Sequence, residues 1–338
     1  MYKSCVIGAS GYTGSELARL LEKHSQFELV SVYVSENSAD QNKRVSDLHP
    51  SLLNYCDLVL QPLADSTLVE LADSMDAIFL ATPHEASHDW MPILATGKAK
   101  IFDLSGAFRL KDTKVFAEYY GFAHQQSSEL EAAVYGLADW HPEAISKAQI
   151  IAVPGCYPTA SLTALKPLQK NGLLDPTVRP VINATSGVSG AGRKAALANS
   201  FCEVSLQAYG VLGHRHQPEI SSQLGTEVIF TPHLGSFKRG ILATVTAKLD
   251  ADASVETVDS AYLEAYQNNP IIRIQNSWPK LDDVVATPYC DLHWKFDRHS
   301  GYIVVSSAID NLLKGAASQA IQCANLAFGL VSHASLVD

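Results

Sequence analysis

Lys3-Ser4-Cys5-Val6-Ile7-Gly8-Ala9-Ser10-Gly11-Tyr12-Thr13-Gly14 decides the fold of this chain. A short apolar run ends in glycines three residues apart, and a helical pattern follows at once. Tyr12 to His24 places Leu17, Leu20 and Leu21 on one face. Strand, glycine turn and helix in that order form the phosphate end of a dinucleotide fold. Gly8 permits the tight turn, Gly11 lets the backbone approach a pyrophosphate, and Gly14 allows close packing of helix on sheet. Ser10, Tyr12 and Thr13 complete the loop, with hydroxyl donors from Ser10 and Thr13 beside a helix N-terminus suited to an anion. The spacing is GxxGxxG rather than the commoner GxGxxG, so the alternative is a tight turn that binds nothing.

Outward from the loop, strands and helices alternate. Phe27 to Ser35, Asp76 to Thr82, Lys100 to Leu104 and Ile150 to Val153 read as strands, with a helix over His84 to Thr96. That alternation predicts an α/β, Rossmann-type, doubly wound parallel sheet. Beyond residue 156 the pattern changes. Thr159 to Leu168 and Val255 to Gln267 read as helices. Val178 to Ala184, Glu227 to Thr231, Gly240 to Leu249, Ile271 to Ile274 and Tyr302 to Ser307 read as strands. A mixed or antiparallel sheet in an α+β domain is expected there. Asn311 to Gly329 reads as a small-residue helix whose apolar side returns to the first domain.

Pro154-Gly155-Cys156-Tyr157-Pro158 joins the last parallel strand to the helix that follows. A cysteine there lies over the positive end of a helix, which favours thiolate over thiol. The thiolate attacks carbonyl carbon. A nucleotide site and an activated cysteine in one chain suggest hydride transfer to or from a cysteine-bound acyl group. Gly213-His214-Arg215-His216-Gln217-Pro218-Glu219 offers a partner: in an extended segment His214 and His216 face one way, and either is able to shuttle a proton. A metal site completed by Glu219 and a purely structural histidine pair are the alternatives.

Other stretches add candidates. Ser186-Gly187-Val188-Ser189-Gly190-Ala191-Gly192-Arg193-Lys194 is a second glycine-rich run able to hold an anion through backbone N–H groups, Arg193 or Lys194. Ser105 and Arg109 follow a buried strand, and an arginine there suits bidentate binding of carboxylate or phosphate. Ser35 and Ser38, with Lys43 or Arg44, favour a 2′-phosphate and hence NADP(H), although Glu36 counts against it. Pro83, Ser186 and Gly187 join the cofactor set; Asn311 reads first as an N-cap and second as an amide contact for the cofactor. His84 and His88, one helical turn apart, are more readily cap or surface histidines than a metal seam, and no metal is expected.

Composition narrows the class. The 338 residues are 47% hydrophobic with formal charge −10, which argues against nucleic acid or an anionic membrane as partner. No stretch approaches the roughly 18 uninterrupted apolar residues of a membrane span. The chain enters a strand at its start, so no leader is expected. Of the six cysteines, Cys5, Cys56, Cys202, Cys290 and Cys323 read as structural thiols in a reducing cytoplasm.

Taken together, GASGYTG (8–14), DLSGAFRL (103–110), VPGCYPTA (153–160), SGVSGAGRK (186–194), GHRHQPEI (213–220) and DNLLKGAA (310–317) resemble the N-acetyl-γ-glutamyl-phosphate reductase family of arginine biosynthesis. The glycine loop and NLLKGAA block are shared more widely with aspartate-semialdehyde dehydrogenases. The resemblance implies an NADP-binding domain over 1–155 and 310–338. It implies a catalytic and oligomerisation domain of the aspartate-semialdehyde dehydrogenase type over 156–309. It makes Cys156 the nucleophile and His214 the acid/base. Tyr157, Ser105, Arg109, Ser189, Arg193, His216 and Glu219 are then expected at an acyl-phosphate substrate, and Asn311 near the nicotinamide. It further implies inorganic phosphate as product and a cytoplasmic homodimer or homotetramer. Aspartate-semialdehyde dehydrogenase, a noncatalytic NADP-binding sensor and a cysteine hydrolase are the competing readings.

Overall fold

The computed structural model describes residues 1–337, the side chain of Ala198 excepted. The chain divides into two compact units, Met1–Gly155 with the segment from Ala316 onward, and Cys156–Gly315.

The first unit holds β1 (Tyr2–Ile7), α1 (Tyr12–Glu22), β2 (Phe27–Ser35), α2 (Val45–Leu48), β3 (Leu60–Leu63), α3 (Asp65–Ser74) and β4 (Ala77–Leu80). It continues through α4 (His84–Leu94), β5 (Lys100–Asp103), α5 (Thr113–Tyr120), α6 (Ser127–Ala132), β6 (Val134–Tyr135), α7 (Pro142–Lys147) and β7 (Ile150–Ala152). The sheet runs β3-β2-β1-β4-β5-β7-β6, and every pairing is parallel. Strands covered on both faces read as unbroken apolar runs, and Ala77–Leu80 is buried at all four positions. Chain order reverses between β1 and β4, so the carboxyl end of β1, where the glycine loop starts, lies at the topological switch point.

The second unit holds α8 (Cys156–Lys170), β8 (Val181–Ser186), β9 (Gln207–Ala208), α9 (His216–Leu224), β10 (Ile229–Leu234) and β11 (Ile241–Lys248). α10 (Val255–Tyr266), β12 (Ile272–Ile274), β13 (Cys290–Asp297) and β14 (Tyr302–Ile309) complete it. Its sheet, β12-β13-β14-β11-β8-β10-β9, is mixed, with parallel pairs β8–β10 and β12–β13 and antiparallel pairs elsewhere. α8 packs on β11 and β14 and is flanked by α9 and α10. It is therefore buried almost all round, from Tyr157 to Leu165 without a break. Pro167 inside it has no N–H for the carbonyl of Thr163. Tyr266 Oη donates to that carbonyl at 2.8 Å, and Tyr262 Oη to Ala164 O at 2.7 Å. The two tyrosines bond carbonyls in the buried stretch of the helix, which water does not reach.

Three expectations need correction. The helix after the cysteine starts at Cys156, not Thr159, so Cys156 is itself in the first turn. Residues 214–219 are not extended: His216 opens α9. Four strands stand beyond the sequence reading: β3, β6 and β9 are only four, two and two residues long, and in β13 the charged Asp291, Lys295 and Asp297 break the apolar run, although Asp291 itself is buried. After β14 the chain passes through a π-helical turn, Leu313–Ala317, into α11 (Ser318–Ala327), which packs on α1, α7 and β5 of the first unit. Among the described residues no helix is long and apolar enough to cross a membrane.

Candidate active site

In the first unit the glycine loop is pinned from below. Gly8 and Ala9 both donate to Tyr33 O, at 2.8 and 3.2 Å. Gly8 has φ +91°, and a Cβ there would lie 2.2 Å from Ala81 O. At Gly14 a Cβ would lie 2.3 Å from Gly8 O, so the bare backbone is what lets α1 sit on the loop. Gly11 differs. Its φ is an ordinary −77°, and the nearest atom to an added Cβ is 3.5 Å away. Packing within the protein therefore does not demand glycine there. A pyrophosphate would lie against the backbone at the start of α1, with Ser10, Tyr12 and Thr13 around it. His49, which the sequence did not flag, donates from Nε2 to Ser10 O at 3.0 Å and braces the loop.

Ser35 ends β2, and Ser38 N–H donates to its carbonyl at 2.9 Å. Ser38 Oγ accepts from Asp40 N, and Lys43 is paired with Asp40 at 2.9 Å. Arg44 is exposed beside them, and so is Glu36. Pro83 sits at the N-cap of α4, just past the carboxyl end of β4.

The segment after β5 is a brace built on a buried carboxylate. Asp103 is fully buried and accepts from Ser105 N and Ser105 Oγ, each at 2.9 Å. Burial raises its pKa, opposed by the two Ser105 bonds and the Arg109 charge. Arg109, 7% exposed, donates from Nε to Val153 O and from Nη2 to Leu104 O, both at 2.8 Å. These bonds tie β5 to β7. His84 Nδ1 accepts from Gly106 N, and His88 Nε2 from Gln125 N. Backbone bonding thus occupies a ring nitrogen of each. Among the described residues no group of three or more His, Cys, Asp or Glu is arranged to hold a metal ion.

The second unit carries the cysteine. Cys156, half-buried, is the first residue of α8, over the positive end of that helix. A Cβ placed on Gly315 would lie 2.8 Å from Cys156 Cβ, so the glycine in the π-helical turn makes room for the cysteine. Gly315 N–H reaches back five residues to Asp310 O, at 2.9 Å. Asp310, not Asn311, caps this turn. Its Oδ1 accepts from Leu312 N and Leu313 N, and its Oδ2 from Arg239 Nε and Ala286 N. Asn311 instead accepts from Gly240 N at 2.7 Å and donates to Ser189 Oγ at 2.9 Å.

That bracket fixes the second glycine-rich run. Gly187, Val188 and Ser189 donate to Gly240 O, Phe237 O and Lys238 O. These N–H groups are engaged by protein, contrary to the expectation that they cradle an anion. Gly187 is needed for this approach, since a Cβ would lie 2.5 Å from Arg239 N. Ser186 is buried beneath it, and Arg193 is exposed beyond it.

The histidines meet Cys156 through its neighbour. The Tyr157 ring lies 5.7 Å from that of His214 and 5.8 Å from that of His216, and the two imidazoles are 4.8 Å apart. Glu219, fully buried, lies in the first turn of α9. Tyr209 and Phe230 close the remaining sides of His214. Burial first, and the Arg215 charge second, lower the His214 pKa to about 4. Its Nδ1 accepts from His216 N at 3.1 Å. At neutral pH the ring is therefore uncharged, and this bond assigns its proton to Nε2. It offers a hydrogen-bond donor at Nε2 rather than a charged imidazolium.

The candidates thus form two groups. Gly8, Ser10, Gly11, Tyr12, Thr13, Gly14, Ser35, Ser38, Pro83, Ser105 and Arg109 belong to the first unit. Cys156, Tyr157, Ser186, Gly187, Ser189, Arg193, His214, His216, Glu219 and Asn311 belong to the second. Sequence reasoning missed Tyr209, Asp310 and Gly315. Only Gly315 had a signal, as a glycine inside a helical pattern.

Known proteins match along the whole chain. The semialdehyde dehydrogenase NAD-binding domain family matches residues 3–148, and the semialdehyde dehydrogenase dimerisation domain family matches 156–311. The chain is 66% identical over 337 residues to an N-acetyl-γ-glutamyl-phosphate reductase of Pseudoalteromonas atlantica, covering 100% of this chain and 98% of that one. Among solved structures it is similar to aspartate semialdehyde dehydrogenase II of Vibrio cholerae. The TM-score there is 0.72 at 18% identity, covering 97% of this chain and 98% of the other. It is likewise similar to an aspartate semialdehyde dehydrogenase of Candida albicans solved with NADP, at TM-score 0.69 and 14% identity, covering 96% and 98%. Those two likenesses concern the fold. The full-length identity goes further: this chain belongs to the N-acetyl-γ-glutamyl-phosphate reductase family.

Proposed function

We propose that this protein reduces N-acetyl-L-glutamyl 5-phosphate to N-acetyl-L-glutamate 5-semialdehyde, releasing phosphate, with Cys156 as nucleophile and NADPH as reductant. Family membership supports the reaction. The observation that carries the chemistry is a half-buried cysteine in the first turn of α8, given room by Gly315.

The Cys156 thiolate, favoured by the positive end of α8, attacks the acyl carbon. The C–O bond to phosphate breaks, phosphate leaves with the electron pair, and a thioester remains on Sγ. When bound, the nicotinamide supplies hydride to the thioester carbon. His214 Nε2–H and backbone N–H groups at the start of α8 donate to the oxyanion at each tetrahedral stage. As the thiohemiacetal C–S bond breaks, its electron pair returns to sulfur, the C=O bond re-forms, and the aldehyde departs.

Arg193, exposed, is better suited to the substrate's anionic groups than Arg109, whose guanidinium holds Val153 and Leu104. Ser35, Ser38 and Arg44 would receive the 2′-phosphate, which favours NADP(H) over NAD(H). We further propose a cytoplasmic homodimer or homotetramer, in keeping with the dimerisation-domain match.

The test is the reverse reaction: phosphate-dependent NADPH formation from NADP and N-acetylglutamate semialdehyde, beside aspartate semialdehyde. Activity with the acetylated substrate is expected. Cys156→Ala should abolish turnover and leave NADP binding intact. Turnover in that variant near the wild-type rate, or activity with aspartate semialdehyde alone, refutes the scheme.

A further inference from the structure

Tyr157 directly follows the nucleophile, and its hydroxyl is occupied within the protein. Tyr157 Oη lies 3.2 Å from His233 O and 3.0 Å from Tyr209 Oη. A carbonyl only accepts, so Tyr157 gives its proton to His233, and Tyr209 gives its own to Tyr157. The contact spans 52 residues of sequence and joins the first turn of α8 to the loop that leads into His214.

That loop has few other anchors. Leu197, Phe201, Leu206, Val211 and Leu212 are 74, 95, 66, 53 and 61% exposed. β9 is two residues long, and Tyr209 N–H donates to Pro232 O at 3.0 Å. Between Tyr209 and His214 the backbone twice enters the left-handed region, at Gly210 (φ +54°) and at Leu212 (φ +56°). Leucine is strained there, and a strained residue persists only where its surroundings hold it. The Tyr209 ring meanwhile packs against the His214 imidazole, centroids 5.6 Å apart.

We propose that Tyr209 is a positioning residue: its hydroxyl, bonded to Tyr157, fastens the strained loop carrying His214 to the helical turn carrying Cys156. The proposal rests on the reading of Cys156 and His214 given above. Removing one oxygen leaves both rings in place but unties the loop. Gly210 and Leu212 then relax, and the imidazole drifts from the oxyanion it serves. Burial of His214 also lessens, so its titration moves up from about 4 toward the ordinary 6.5.

The test is Tyr209→Phe, Tyr157→Phe and the double variant in the phosphate-dependent NADP assay, beside wild type and Cys156→Ala. Tyr209→Phe should lower kcat about tenfold, with NADP affinity and Tm nearly unchanged. Protonation of His214 at Nδ1 breaks its bond from His216 N and displaces the ring, so the acid limb of the kcat/KM profile should move to higher pH. The double variant should be no slower than the slower single, since both substitutions delete one shared bond. A Tyr209→Phe kcat within twofold of wild type, or additive losses in the double variant, overturns the proposal while an inactive Cys156→Ala leaves the catalytic reading standing. Turnover in Cys156→Ala brings both down together.

Discussion

Gly315→Ala tests the arrangement around the nucleophile most directly. The added methyl would lie 2.8 Å from Cys156 Cβ, 3.3 Å from Cys156 Cα and 3.3 Å from Asp310 O. None of these atoms ends a flexible side chain, so no rotamer change relieves the clash. Ordinary contact between carbons requires the two segments to part by about 0.6–1.2 Å. Forcing a methyl into a packed site costs about 1–3 kcal/mol, which lowers Tm by roughly 2–10 °C. The kinetic effect should be larger, since a displacement of about 1 Å at a reacting group costs on the order of 100-fold in rate. The expected variant is therefore folded, somewhat less stable, and slower by about 10- to 100-fold in kcat. Two measurements check this: phosphate-dependent NADPH formation, and iodoacetamide labelling of the Cys156 peptide read by mass spectrometry. Peptide-level reading is needed because Cys202 is also exposed. Labelling should persist while turnover falls, showing a thiol present but misplaced. A variant with kcat within threefold of wild type and an unchanged Tm would refute the idea that Gly315 exists to seat the cysteine.

Two further outcomes follow from the geometry. His214 titrates near 4 in the folded protein and ordinarily at 6.5, so the unfolded chain binds more protons between those values. Its contribution to stability is complete above about 6.5 and is lost as pH falls toward about 4. His214→Asn should flatten that part of a urea-denaturation profile and lower kcat by about 100-fold at pH 7, and an unchanged slope would contradict the assignment. Tyr266→Phe removes the donor that serves Thr163 O above Pro167 and should destabilise the protein by about 1–3 kcal/mol, measured by urea midpoint. Restoring an N–H with Pro167→Ala should recover part of that loss, and no recovery would count against the account.

In the first sheet β1, β2, β4, β5 and β7 were legible because parallel strands buried on both faces advertise themselves as apolar runs, and the glycines at 8, 11 and 14 mark where the chain turns; the edge strands β3 and β6, short and partly exposed, were not. The second sheet was harder. Ile241–Lys248 alternates buried and half-buried positions, and strand periodicity finds it. Cys290–Asp297 starts buried and ends exposed among charges, and periodicity does not. At the candidate site the chemically distinctive residues, Cys156 and His214, stand out by type and position. What holds them does not. Asp310 acts as a cap through bonds from four donors scattered between Arg239 and Leu313, and nothing in an aspartate beside an asparagine says which of the two will cap. Tyr209 meets Tyr157 only after β9 and α8 are in place. Cys202, which reads as a structural thiol, is exposed, because the stretch around it lies at the surface.

The place of α11 has a consequence for biosynthesis on the ribosome. Asn325 Oδ1 lies 3.0 Å from His24 Nε2, and Cys323 Sγ lies 3.0 Å from Gly136 O, so α11 supplies partners to groups made 301 and 187 residues earlier. At roughly 5–20 residues per second, about 10–35 s separate the emergence of β7 from that of α11. Throughout that interval the surface of α1, α7 and β5 that α11 covers lacks its partner while the second unit is being synthesised. Loss of α11 would therefore strike the unit made before it, and a chaperone able to shield that surface has about 10–35 s in which to act.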